Sequence, residues 1–200
     1  MARPLARRGP RREEGGLPEW IRPQLTEIVD QAPDGPDWLH EIKFDGYRLH
    51  ARLDRGSVKL LTRTSLDWTH KYPPIAAAVS ALSARQAYLD GELCGVFPDG
   101  ITSFSMIQAA SDAGNAAGLV YFIFDLLHLD GDDVAARPLI ERKARLAALL
   151  SDAAEQRAAQ SYRAIMRGQL WDQRLPLPRR QIERQQHQLA GRKAFLQRAP

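Results

Sequence analysis

Between residues 38 and 62 this sequence carries three short β-forming runs, Trp38–Phe44, Tyr47–Leu53 and Ser57–Thr62, divided only by Asp45-Gly46 and Asp54-Arg55-Gly56. Asp-Gly pairs between such runs favour tight hairpins, so the stretch predicts an antiparallel meander. Two further strands are expected at Tyr88–Phe97 and Leu119–Leu127, the second a continuous apolar run of the kind buried on both faces. Pro73-Pro74 open an alanine-rich helix reaching about Leu82, Ser103 to Ala110 reads as a short helix, and Ala32–Asp37 and Pro98-Asp99-Gly100 read as turns. Leu139–Leu150 has amphipathic spacing, with Leu139, Ile140, Leu146, Leu149 and Leu150 inward and Glu141, Arg142 and Arg145 outward. Strands followed by helices, with little βαβ alternation, indicate an α+β fold.

Charge divides the chain into three. Residues 1–16 hold five Arg against two Glu, residues 17–151 hold thirteen Lys and Arg against eighteen Asp and Glu, and residues 152–200 hold ten against four. The overall charge of +4 therefore comes from the two ends. Residues 1–18 read as a disordered basic leader, 19–151 as the folded unit, and 152–200 as an Arg/Gln/Pro-rich tail, disordered or weakly helical. The lone cysteine, Cys94, forms no internal disulfide and fits a reducing cytoplasm. The longest apolar run, Leu119–Leu127, is broken by Asp125 and is too short for a membrane span. The histidines His40, His50, His70, His128 and His187 lack metal-ligand spacing, and no Gly-x-x-x-x-Gly-Lys phosphate loop occurs.

The string with most chemical content is Lys43-Phe44-Asp45-Gly46-Tyr47-Arg48. A lysine that attacks a phosphoryl group must be neutral and in line with the leaving group, and a strand end before a tight turn offers such placement. Arg48 can return to the same pocket, meet phosphate or ribose oxygens, and disfavour the ammonium form of Lys43. Most Lys-x-Asp-Gly strings are hairpins with solvated charges, yet the full six-residue pattern arises by chance in only roughly a few of every thousand chains of this length. Asp90 and Glu92 flank Gly91 on a strand and share one face, where they could hold a ribose hydroxyl or a hydrated Mg²⁺. Phe122 and Phe124 also share a face, although most such aromatics are core residues.

This six-residue string resembles the signature of the covalent nucleotidyltransferases: DNA ligases, RNA ligases and mRNA capping enzymes. Its flanks, Trp38-Leu39-His40-Glu41-Ile42 and Leu49-His50-Ala51-Arg52, with the lead-in Trp20-Ile21-Arg22-Pro23-Gln24-Leu25, resemble the ATP-dependent ligase domain of bacterial ligase D-type enzymes. The resemblance runs from about residue 18 to residue 151. It implies an antiparallel-sheet-rich, ATP-grasp-like adenylation domain, incomplete on its C-terminal side, in which Lys43 becomes adenylated. Thr62-Arg63-Thr64-Ser65 is similar to the family's motif Ia, where an arginine binds the nucleotide sugar and nearby strand phosphates, a role that falls to Arg63. The family often has Asn-Gly at Thr64-Ser65, so this loop is expected to bend differently. Tyr88-Leu89-Asp90-Gly91-Glu92-Leu93 resembles motif III and makes Glu92 the ribose contact and the candidate metal ligand. Tyr121 through Gly131 resembles motif IIIa, whose aromatic stacks on adenine; Phe124 takes that part, with Phe122 as the alternative. Pro138-Leu139-Ile140-Glu141-Arg142-Lys143 matches a structural helix start.

No Glu-Gly-Val string of motif IV follows residue 151, and Arg192-Lys193-Ala194 matches motif V only faintly. The tail is expected to be unrelated to the family, as an out-of-frame or degenerated read-through would be, and the chain to be deficient in full ligation. The resemblance implies ATP and Mg²⁺ as cofactors, nicked or broken double-stranded DNA and end-joining repair proteins as partners, no membrane, a monomer, and a cytoplasmic setting. The competing readings are an RNA ligase or capping-type nucleotidyltransferase, and a non-catalytic module that binds DNA ends or a repair partner.

Overall fold

A computed structural model describes residues 16–25, 38–41, 44–97, 102–112, 119–156, 166–168 and 196–198. The elements are β1 (Trp38–His40), β2 (Tyr47–Asp54), β3 (Ser57–Thr62), a 3₁₀ turn (Thr69–Lys71), α1 (Pro73–Ser80), β4 (Gln86–Val96), β5 (Thr102–Ser103), α2 (Phe104–Asp112), β6 (Leu119–Leu129), β7 (Asp132–Asp133), α3 (Leu139–Gln156), β8 (Met166–Gly168) and β9 (Leu196–Arg198). The main sheet has the order β3-β2-β4-β6-β7, all neighbours antiparallel; β5 pairs with β4, and β8 joins β6 in parallel. The α+β, antiparallel-sheet-rich architecture expected from the sequence is the one found.

Two hairpins have the turn chemistry that their strands require. Arg55-Gly56 and Asp130-Gly131 take positive φ at both positions (50° and 86°, 47° and 90°), closing the β2–β3 and β6–β7 hairpins with the right-handed twist. Asp45-Gly46 does not close a hairpin. β2 already pairs with β3 and β4 on its two edges, so β1 has no edge to join and pairs with β9 instead. The expected meander therefore begins at β2.

Alternation on the strands gives the sheet one apolar face. Leu49, Ala51 and Leu53 of β2, Ala87, Leu89 and Leu93 of β4, and Tyr121, Ile123 and Leu126 of β6 are buried in one cluster. Ile75, Ala78 and Val79 of α1, at i, i+3 and i+4, join it, with Ile107 of α2 and Leu146 and Leu149 of α3. Each fully buried leucine contributes about 1.5–3 kcal/mol. In α3 the inward stripe is Leu139, Leu146 and Leu149, while Ile140 falls off it and is exposed, contrary to the sequence expectation. Arg142 departs too: it reaches back to the sheet rather than into solvent. The same helix continues to Gln156, so residue 151 lies inside it.

Among the described residues no helix is long and apolar enough to cross a membrane. The leader through residue 15, both expected turns at 32–37 and 98–100, and most of the tail, including Arg192-Lys193-Ala194, lie outside the described residues.

Candidate active site

The opposite face of the sheet carries the polar residues, in rows fixed by strand register. Arg48 pairs across β4 with Glu92 and on to Phe122 of β6; His50 with Asp90 and Asp125; Arg52 with Tyr88 and His128. A simple alternation along β6 would put Asp125 on the apolar side with Ile123. The β4–β6 ladder shifts register between Asp90 and Gly91, so Phe124 is an extra residue and Asp125 returns to the polar face.

Arg48 is held by a two-pronged contact with Asp90, Nε to Oδ1 at 3.0 Å and Nη2 to Oδ2 at 2.6 Å, while its Nη1 donates to the Gln24 carbonyl at 2.9 Å. A guanidinium has five N–H donors, so two are left for a ligand by its contacts among the described residues. Its carbon lies 5.3 Å from the centre of the Phe124 ring, within cation–π range. Asp90 is buried, which by itself disfavours its charge, but His50 and Arg48 hold its carboxyl below the usual carboxylate range. Asp125, by contrast, is pushed up to about 6 by burial, despite Arg142 Nε at 3.2 Å and the Leu126 N–H at 2.9 Å.

The residues beside the expected nucleophile are tied to this face. Lys43 itself lies outside the described residues. Its neighbour Phe44 stacks on Phe122, centroids 4.0 Å apart and planes 13° from parallel. Gly46 donates its N–H to Glu92 Oε1 at 3.2 Å. A Cβ at Gly46 would overlap the Leu93 carbonyl oxygen and come within 2.8 Å of Cys94 Sγ, so the close approach requires glycine. On the far side, Lys143 of α3 bonds both the Glu41 carboxylate and the Phe124 carbonyl.

Arg48, Glu92, Phe122 and Phe124 are thus brought together at one end of β2, β4 and β6. Arg63 directly follows Thr62, which pairs with Leu49, and is exposed at the sheet edge beside Arg48's end of β2. Its loop is held by Thr62 Oγ1, which accepts the N–H groups of Thr64 and Leu66, and Ser65 takes φ 66°, the left-handed conformation natural to glycine. As to a metal, no group of three His, Cys, Asp or Glu side chains able to hold an ion occurs among the described residues. The sequence reading missed Asp90 as the partner of Arg48, Phe44 as the stacking partner of Phe122, and the Asp125–Arg142 pair. Strand alternation around Asp90 was the signal available for the first; the other two depend on contacts between distant segments.

Residues 22–168 match the family model described as ATP dependent DNA ligase domain, a span that includes β8 and passes residue 151. The multifunctional non-homologous end joining protein LigD of Pseudomonas aeruginosa is 41% identical over 152 residues, covering 74% of this chain and 18% of that protein. A DNA ligase of Pyrobaculum calidifontis is 34% identical over 151 residues, covering 68% of this chain and 26% of the ligase. Among solved structures, the ligase domain of M. tuberculosis LigD superposes with a TM-score of 0.50 at 31% identity, over 57% of this chain and 38% of that one. A mycobacterial DNA ligase D complexed with ATP and MES does so with a TM-score of 0.50 at 32% identity, over 58% and 37%. This chain belongs to the family of ATP-dependent DNA ligase domains.

Proposed function

We propose that this chain carries out the self-adenylation step of an ATP-dependent DNA ligase, with Lys43 as the nucleophile. The neutral Nζ of Lys43 attacks the α-phosphorus of ATP. A P–N bond forms, the bond to the β-phosphate oxygen breaks, pyrophosphate leaves, and the amine proton passes to solvent. The observation that carries this reading is the row Arg48–Glu92–Phe122, joined by the Gly46–Glu92 hydrogen bond to the segment that follows Lys43 in the chain. The two spare N–H donors of Arg48 suit ribose or phosphate oxygens, Glu92 suits a ribose hydroxyl, Phe124 suits the face of adenine, and the exposed Arg63 suits the sugar or strand phosphates. Mg²⁺ would accompany the triphosphate as its counterion.

The relatives named for end joining support broken or nicked duplex DNA as the eventual substrate and end-joining proteins as partners. Incubation with ATP or GTP, followed by intact-mass measurement, tests the reading. An added AMP with ATP alone, absent from Lys43→Ala, is expected. A GMP adduct would favour a capping-type enzyme, and an adduct that persists in Lys43→Ala would overturn the assignment.

A further inference from the structure

The polar face contains an imidazole to which the adenylation step gives no part. His50 is 1% exposed and sits between Tyr88 and Asp90, with Nδ1 3.0 Å from the Tyr88 oxygen and Nε2 3.3 Å from Asp90 Oδ1. The proton positions in this cluster follow from its ends. The Tyr88 oxygen accepts the Ile21 N–H at 3.0 Å, and burial pushes its hydroxyl up to about 12, so it keeps its proton and donates to His50 Nδ1. Nε2 then carries the ring proton. It has no hydrogen-bond partner of good geometry among the described residues, and Asp90 Oδ1 lies 3.3 Å away, so an unprotonated Nε2 would aim a lone pair at a carboxylate. The chain of donors runs Ile21 N–H to Tyr88, Tyr88 O–H to His50, and His50 Nε2–H towards Asp90, whose two oxygens also receive Arg48.

The lead-in segment is fastened to the same face at several points. Leu17 packs on Tyr88 and Leu127, the Pro18 carbonyl accepts Arg52 Nε at 2.9 Å, and the Gln24 carbonyl accepts Arg48 Nη1. Arg48 is therefore clasped from both sides, by Asp90 within the sheet and by the lead-in segment outside it.

We propose that His50 is a positioning residue for nucleotide binding, which locks the Asp90 carboxylate so that the Arg48 guanidinium presents its two spare donors in one fixed orientation. Tyr88 selects the imidazole tautomer that can do this and couples the orientation to the lead-in segment. The inference rests on Arg48 as a nucleotide contact. Without His50, Asp90 keeps Arg48 but loses the restraint on its own rotation, and small misplacements of a binding group weaken the complex disproportionately.

The test measures equilibrium ATP binding to the full 200-residue chain and to His50→Leu, His50→Gln and Arg48→Ala, with side-chain ¹⁵N NMR of the histidines. Wild type is expected to show His50 protonated on Nε2 alone, and Tyr88→Phe to give a mixture of tautomers. His50→Leu is expected to weaken ATP binding about tenfold, the loss of one close N–H contact with a charged group. His50→Gln, whose amide can accept from Tyr88 and donate to Asp90, should recover most of it. A protonated Nδ1 in wild type overturns the proposal even if His50→Leu fails to fold. Weakened binding in Arg48→Ala with unchanged binding in His50→Leu overturns it while leaving the nucleotide role of Arg48 intact. Unchanged binding in Arg48→Ala removes that role and the proposal together.

Discussion

The backbone N–H of Gly46 is bonded to the carboxylate of Glu92, 46 residues further along the chain, at 3.2 Å. The bond joins the turn after Lys43 to the middle of β4, so the carboxylate proposed for the ribose also fixes the loop beside the proposed nucleophile. Glu92→Gln keeps an oxygen acceptor for Gly46 and should retain the wild-type fold and much of the ATP binding. Glu92→Ala removes the acceptor, lowering stability by about 1 kcal/mol, with adduct formation falling at least tenfold. Urea unfolding and adduct mass read the two effects separately. Equal losses in both variants would mean that the charge, not the tie to Gly46, is what matters.

Gly46→Ala tests the close approach of this turn to β4. The new Cβ would collide with the Leu93 carbonyl, a backbone group that can move only with β4. Overpacking of this kind destabilises by about 1–3 kcal/mol, and the shift falls on the Lys43–Phe44 segment. Both a lower unfolding midpoint and loss of the adduct are expected. A full adduct yield would show that the turn tolerates displacement.

Lys43→Ala should abolish the AMP adduct, and Lys43→Arg should do the same because a guanidinium stays protonated and is a poor nucleophile. Lys59→Ala is the control: Lys59 is exposed on β3 and should leave the yield unchanged. Peptide mapping of the labelled chain checks the site, and a label at Lys59 or Lys71 would refute it.

Much of the sheet was legible because β2, β3 and β4 are short β-forming runs set off by local turn chemistry, as Arg55-Gly56 shows, and β6 is a continuous apolar run. The grouping of Arg48, Glu92 and the Phe122/Phe124 pair was readable for the same reason, since alternation assigns each to a face once its strand is known. What the local pattern could not encode is pairing. β1 looks like the first arm of a hairpin, yet β3 and β4 occupy both edges of β2. The bulge at Phe124 exists only in register with Asp90 and Gly91, and without it Asp125 would face the apolar core. The Arg48–Asp90 contact and the clasp of the lead-in segment join residues 24 to 67 positions apart, beyond any local periodicity. Ile140 was misplaced for a simpler reason: an apolar residue at a helix start was counted into a stripe that its angle does not reach.

The two aromatic candidates for adenine separate by what each already touches. Phe122 has one ring face covered by Phe44, so Phe122→Ala should lower stability by about 1 kcal/mol or more and disturb the Lys43 segment. Phe124 is the bulged residue beside Arg48, and Phe124→Ala should weaken ATP binding with a smaller change in the unfolding midpoint. Titration of each variant with ATP checks the split. Stronger loss of binding in Phe122→Ala at unchanged stability would assign the stacking role to Phe122.

Asp125 gives the fold a pH dependence whose sign is fixed by its environment. Its carboxyl, ordinarily near 3.8, is pushed up to about 6 by burial, which outweighs Arg142, the Leu126 N–H and Lys143. The folded state therefore binds this proton more tightly than the unfolded chain does. Its contribution to stability is fully present below pH 3.8 and is lost as pH rises through about 6. A shift of this size corresponds to about 3 kcal/mol at most, since each pH unit is worth about 1.4 kcal/mol. Asp125→Asn keeps an oxygen for Leu126 and Arg142 but cannot titrate, so its stability should lack this component. Asp90 is held below the usual carboxylate range and titrates at lower pH in both proteins, so it cancels from their difference. Urea unfolding at intervals from pH 4.5 to 7.5 should therefore show Asp125→Asn gaining about 2–3 kcal/mol on wild type across that range, and levelling off above pH 7. Parallel curves for the two proteins would mean that Arg142 compensates the buried charge fully, leaving Asp125 ionised throughout.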